Sequence, residues 1–193
     1  MPLNRGFREA ALEVPVAKAI AMRPIGFVRT SADEKEIHAN RKRVVSEVVL
    51  EGKLAPALRG IEAYSHVIVL FWMDKVPKEE RARLTTHPRD KEDLPRVGIF
   101  AVRMRNRPNP IGLSVVELIG RKRNVLMVRG LDALDGTPVL DVKSYDHMDV
   151  KEGIAVPEWW FKDHPGSRPV KGRVALRPAE ASSRPVAQPQ SDA

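Results

Sequence analysis

Two stretches of this chain concentrate residue types that bind charged small molecules. The first runs from Phe100 to Ser114 as Phe-Ala-Val-Arg-Met-Arg-Asn-Arg-Pro-Asn-Pro-Ile-Gly-Leu-Ser. Its two prolines fix φ and remove N–H donors, and Gly112 lets a ligand approach the backbone closely, so the loop can hold its shape before any ligand arrives. Arg103, Arg105 and Arg107 alternate with smaller or apolar groups. On an extended chain they share one face, where guanidinium forks suit carboxylate or phosphate. Composition alone allows, equally well, a rigid connection between strands with a solvated arginine face.

The second stretch runs from Gly130 to Tyr145. Asp132 and Asp135 can accept hydrogen bonds from ribose hydroxyls or a ligand amine, and Leu131, Leu134 and Val139 can flank a flat purine. An Asp135-Gly136 pair is more commonly a hairpin-type turn with no ligand. Asp141, Lys143 and Tyr145 stand two apart, which places them on one face of a strand as a proton-handling or ionic cluster; a structural ion pair is the commoner use. A third candidate is His66, beside Tyr64 at the entrance to an apolar run. An imidazole there can bind or shuttle protons, although a hydrogen-bonded structural role is more frequent. His38, His87, His147 and His164 are scattered without metal-ligand spacing, so no catalytic metal is expected. Walker, nucleophile-elbow and Gly-x-Gly-x-x-Gly motifs are missing, which argues against the common NTPase, hydrolase and dinucleotide-binding classes.

The elements that must position these residues are mostly β. Two-residue alternation or short apolar runs predict strands at residues 25–30, 44–50, 66–73, 97–104, 113–121, 124–128 and 139–143, with a turn over 120–124. Seven short strands suit a small single-domain β-barrel with few helices, and the scarcity of long helices argues against a Rossmann sheet. Helix is expected at residues 78–84, after Pro77, and in a short piece over 157–162 whose Trp159, Trp160 and Phe161 dock on the barrel. Residues 1–21 read as a loosely ordered leader, 22–165 as the domain, and 166–193, rich in Pro, Ala, Ser and Arg, as a disordered tail.

Composition bounds the function. The chain has 193 residues, no cysteine and a formal charge of +8. The first number suits one principal domain, the second excludes disulfides and thiolate chemistry, and the third makes a polyanion a plausible partner. Residues 166–193 carry five basic groups against two acidic ones, so much of the excess lies in the tail. No apolar run approaches a bilayer span and no signal-peptide order opens the chain, so a cytoplasmic protein without membrane contact is expected.

Arg107-Pro-Asn-Pro-Ile-Gly-Leu-Ser114 and Leu131-Asp-Ala-Leu-Asp-Gly-Thr-Pro-Val-Leu-Asp-Val-Lys143 together resemble the paired signatures of the TrmO family. Pro24-Ile-Gly-Phe-Val-Arg29 resembles the family's opening strand, and Gly60-Ile-Glu-Ala-Tyr-Ser-His66 with Leu70-Phe-Trp72 its middle one, so the likeness spans roughly Arg23 to Trp160. The resemblance implies a non-Rossmann β-barrel methyltransferase, commonly a homodimer. It would bind S-adenosylmethionine and methylate N6 of threonylcarbamoyladenosine beside the tRNA anticodon. By motif, Phe100, Arg103, Asn109, Pro110, Ile111, Gly112, Leu113 and Ser114 would line the donor pocket from one side. Leu131, Asp132, Leu134, Asp135, Gly136, Pro138 and Val139 would close it from the other, with His66 a further cofactor-binding candidate. Lys143 and Tyr145, with Asp141 holding Lys143, are the catalytic candidates; Arg41, Lys42, Arg43, Arg105 and Arg107 are the RNA-binding ones. Two departures stand out: Ser144 replaces the proline usual before the tyrosine, and residues 31–41 lack the family's Pro-Arg-Gln-like stretch. A barrel methylating another RNA or a small molecule, or a non-catalytic binding module, is the alternative.

Overall fold

The computed structural model describes residues 20–151 and 153–164, together with the backbone of 174–177. Six strands close an antiparallel barrel: β1 (Gly26–Arg29), β2 (Val45–Leu50), β3 (His66–Trp72), β6 (Ile111–Lys122), β7 (Val125–Arg129) and β8 (Pro138–Ser144), in the order β1-β2-β7-β6-β3-β8. Two short strands, β4 (Thr85–Thr86) and β5 (Val97–Gly98), pair outside it, and β9 (Ile154–Pro157) runs parallel to β10 (Val174–Arg177). The helices are α1 (Glu34–Asn40), α2 (Trp159–Asp163) and several 3₁₀ segments, the longest Gly52–Leu58.

Most inward positions of the barrel strands are apolar, with Ser46 and Ser114 the buried polar exceptions: Val28, Val48, Val67, Val69, Phe71, Val116, Leu126, Val128 and Val139 form one buried cluster. Full burial of each such side chain contributes about 1.5–3 kcal/mol, which is why alternation located these strands. On the long strand β6 both faces are apolar. Val116 points inward, yet the outward Leu113 and Val115 stay 57% and 44% exposed.

Closure sorts the connections. Because neighbouring strands are antiparallel all round, the β1–β2, β3–β6 and β7–β8 connections gather at one rim. The β2–β3 and β6–β7 connections gather at the other, where Arg121 donates to the carbonyls of Leu58 (3.1 Å) and Ala55 (3.1 Å) and so holds the 3₁₀ turns that stopper it.

Three expectations are corrected. Residues 97–104 are not a barrel strand: β5 ends at Gly98 and a 3₁₀ turn, Ile99–Ala101, follows. Ile99 and Val102 are the buried positions, a spacing of three that extended chain cannot put on one face. Residues 78–84 contain a 3₁₀ turn, Glu79–Ala82, instead of an α-helix. α2 is fixed through its buried Asp163, which Arg89 and Lys91 of the 88–91 segment reach at 3.4 and 3.3 Å. The leader and tail fall almost wholly outside the described residues, but 174–177 is strand where coil was expected; its Val174-Ala-Leu alternation suits one.

Candidate functional site at one barrel rim

Both sequence signatures lie at the same rim. The loop from Gly130 to Thr137 crosses the barrel mouth with Leu131, Ala133 and Thr137 buried beneath it and Asp132 and Asp135 exposed above. Gly136, at φ 77°, makes the reversal and donates its N–H to the Val28 carbonyl at 2.8 Å. This turn is no hairpin: β7 pairs with β2 and β6, and β8 with β1 and β3, so the loop bridges strands that are not neighbours. Asp135 is fixed by accepting the Thr30 N–H at 3.0 Å, and its carbonyl takes the Lys75 ammonium at 3.5 Å. Asp132 donates its backbone N–H to the Ser114 hydroxyl at 3.4 Å, which joins the two signatures directly. Its carboxylate forms an ion pair with Arg41, leaving both side chains about half exposed.

The arginines of the first signature do not share an extended face. Because residues 99–110 form turns, each guanidinium goes its own way: Arg105 to Glu34 at 3.4 Å, and Arg107 to the Val102 carbonyl at 2.7 Å and over the Phe100 ring at 5.7 Å. Phe100 itself stands 75% exposed. Asn109 and Pro110 lead into β6, and the Pro110 carbonyl accepts the Met73 N–H at 2.8 Å, which ties the loop to the end of β3.

Gly112 has a packing role. A Cβ built there would lie 2.1 Å from Cε2 of Phe71, its partner across β3–β6 and a core residue. The ring fills the space a side chain would need, so the glycine belongs to the barrel wall.

A β-bulge orients the catalytic candidates. Leu70 and Phe71 face Asp141 and Val139, so β8 carries one extra residue, and Val139 and Val142 both turn to the core although three apart. Asp141 and Lys143 are thereby outward and paired at 2.5 Å. Tyr145 follows at the opposite rim, where its ring meets His66 edge-on at 6.3 Å and its N–H donates to the His66 carbonyl. His66 also contacts Ser65 Oγ through Nδ1 at 2.9 Å. From His66 to Trp72 the strand rises about 20 Å. The structure thus groups the Phe100–Ser114 and Leu131–Val139 candidates and sets His66 and Tyr145 apart from them, with Lys143 between, on the outer wall.

The basic candidates fall at the signature rim. Arg41, Lys42 and Arg43 form an exposed 3₁₀ turn that enters β2 beside Gly130, whose N–H donates to Val44 at 3.0 Å. Sequence reasoning missed α1, which begins this segment, although Asp33-x-x-Glu36 signals it: the Asp33 carboxylate accepts the Glu36 N–H at 2.8 Å as an N-cap. It also missed Thr30, Glu34 and Lys75, which carry no motif and become part of the rim only through closure.

Comparison with known proteins agrees with this arrangement. The model for the tRNA-methyltransferase O N-terminal domain matches residues 35–149, which include both signature loops. A probable S-adenosyl-L-methionine-binding protein of Archaeoglobus fulgidus is 37% identical over 164 residues, covering 83% of this chain and 43% of that protein. A second S-adenosyl-L-methionine-binding protein from the same organism is 40% identical and is covered over 88% of its length. The tRNA (adenine(37)-N6)-methyltransferase of Escherichia coli is 44% identical over 95 residues, 47% of this chain and 40% of the enzyme. The chain therefore spans less than half of two of these relatives and most of the third. The crystal structure of TrmO from Pseudomonas aeruginosa superposes with a TM-score of 0.54 at 28% identity, covering 73% of this chain and 68% of that one. With the family model matching more than half of this chain and both signatures assembled at one rim, the chain belongs to the TrmO family.

Proposed function

We propose that this protein is an S-adenosylmethionine-dependent methyltransferase of tRNA adenine N6, and that its acceptor is threonylcarbamoyladenosine beside the anticodon. The observation that carries the reading is the hydrogen bond from Asp132 N–H to Ser114 Oγ, at 3.4 Å, which makes one site of two motif loops. The residues fit the donor's chemistry. Two exposed carboxylates, Asp132 and Asp135, face a molecule that carries a sulfonium and an ammonium, and Leu134 and Ile111 offer apolar surface to its purine. When bound, the donor supplies an electrophilic methyl for in-line transfer.

The chain's own tasks are to hold the acceptor and to take a proton. Arg41, Lys42, Arg43, Arg105 and Arg107 lie on the rim's connections and suit anticodon-loop phosphates. The N6 proton must leave as the nitrogen gains its methyl, and we assign Lys143 and Tyr145 to orienting the base and assisting that departure, with Asp141 holding Lys143. In one chain these residues stand away from the rim, so the reading gives them to a neighbouring copy's site. The exposed Leu113 and Val115 on β6, beside Leu70 and Ile68 of β3, supply an apolar face for such a homodimer.

The test is transfer of labelled methyl from S-adenosylmethionine to two tRNA pools, one carrying threonylcarbamoyladenosine and one lacking it. The expected result is transfer to the modified pool alone, abolished by Asp135→Ala. Transfer to both pools, or to neither, would reject this acceptor.

A further inference from the structure

Arg41 and Asp132 come from different sides of the proposed reaction: one belongs to the basic turn that meets RNA, the other to the donor loop. They are 91 residues apart in sequence and paired in space. Their placement is fixed from beneath, because β2 and β7 pair Val45 with Arg129 and the Gly130 N–H bonds to Val44. Neither loop can drift from the other, so the pair is held by the barrel wall and not by chance meeting of two side chains. Each partner remains about half exposed, which leaves the guanidinium within reach of a phosphate and the carboxylate within reach of a small ligand. The same carboxylate cannot serve both: while Arg41 holds one oxygen, Asp132 has less charge and fewer lone pairs to offer a cationic donor.

We propose that Arg41 couples RNA binding to donor binding by releasing Asp132. An RNA phosphate at the Arg41–Arg43 turn competes for the guanidinium, and the freed carboxylate then accepts hydrogen bonds from the donor's hydroxyls or ammonium. By reciprocity the donor, in taking Asp132, frees Arg41 for phosphate, so each ligand tightens the other by the same factor. The inference rests on the methyltransferase reading above and adds to it a mutual coupling: an empty enzyme holds its donor loop partly neutralised, and either ligand releases the pair for the other. An exposed ion pair of this kind sets the size of the coupling at about two- to fivefold in dissociation constant, and screening by salt shrinks it.

The experiment is calorimetric titration of the full chain with S-adenosylhomocysteine, which binds as the donor does but transfers nothing, with and without saturating bulk tRNA. For the unaltered protein, tRNA tightens binding by about two- to fivefold at low salt. In Arg41→Ala, S-adenosylhomocysteine binds the free protein tighter by that factor and tRNA adds nothing further, whereas Arg41→Lys retains part of the coupling. Arg43→Ala weakens tRNA binding but keeps the coupling once tRNA is saturating, a result that a merely structural role for Arg41 would not produce. Coupling that persists in Arg41→Ala, or is missing from the unaltered protein, overturns the inference and leaves the donor reading intact. Failure of S-adenosylhomocysteine to bind any of these proteins overturns the donor reading and this inference together.

Discussion

Replacing Gly112 by alanine separates two roles that the same glycine could have in a ligand-binding motif. The added Cβ would lie 2.1 and 2.3 Å from Cε2 and Cζ of Phe71, where ordinary contact begins near 3.4 Å. The Phe71 ring is 3% exposed and packed in the barrel cluster, so it must retreat by roughly 1 Å into occupied space. Overpacking of this kind costs about 1–3 kcal/mol. For a chain of this size that lowers the melting temperature by about 2–4 °C per kcal/mol. Urea denaturation measures the loss directly, with an unchanged slope showing that only stability has moved. Phe71→Leu relieves the clash, so the double variant loses less than the two single variants together, a non-additivity of about 0.5–3 kcal/mol for residues in contact. Gly112→Ala with stability within about 0.5 kcal/mol of the unaltered protein but no S-adenosylhomocysteine binding would refute the packing account and return the glycine to the ligand.

Leu131→Ala removes the fully buried plug beneath the Gly130–Thr137 loop, and an expected loss of about 2–5 kcal/mol in denaturation separates a core anchor from a surface contact. Acidification supplies a further check. The Glu51 carboxyl is held below its ordinary range by its hydrogen bond from Lys53 and by the charges of Arg23 and Lys53, against the opposing effect of desolvation. Glu62 is likewise lowered, first by its own backbone N–H and then by Arg121. A lowered folded-state pKa stabilises above the ordinary carboxylate range and loses that contribution as pH falls through it. Melting temperature is therefore expected to fall on acidification from about pH 5 to 3, and less steeply in a Glu51→Gln, Glu62→Gln double variant; an identical slope in both proteins would remove these groups from the acid response.

The barrel strands were legible because each buries one face. Val28, Val48, Val67, Val69 and Val128 recur at alternate positions, and a period of two survives any rearrangement of the loops around it. Residues 97–104 satisfied the same composition without the geometry. A closed sheet has no edge left for a seventh strand, and the chain there turns to bury Ile99 and Val102 instead. The helix α1 was legible in its Asp33-x-x-Glu36 cap but is short, and only Ile37 of its seven residues is buried, so the apolar periodicity that reveals longer helices is missing. The β-bulge at Leu140 left no mark in the sequence, yet it decides that Asp141 and Lys143 face outward.

The rim explains why motif residues and framework residues cannot be told apart by type alone. In the loop after β7 the residues that stopper the barrel, Leu131 and Ala133, alternate with the residues that face solvent, Asp132 and Asp135. Burying the first pair stiffens the second, so the carboxylates are positioned by hydrophobic anchors one or two residues away along the chain. The first signature works in the same manner: Gly112 admits the Phe71 ring, which fixes the start of β6, and Ser114 two residues on is thereby set to receive Asp132 N–H. What the sequence could not show is which residues meet across the mouth. Arg41 with Asp132, and Thr30 with Asp135, are contacts between segments about a hundred residues apart, and they exist only because six strands of matched register bring three connections to one end.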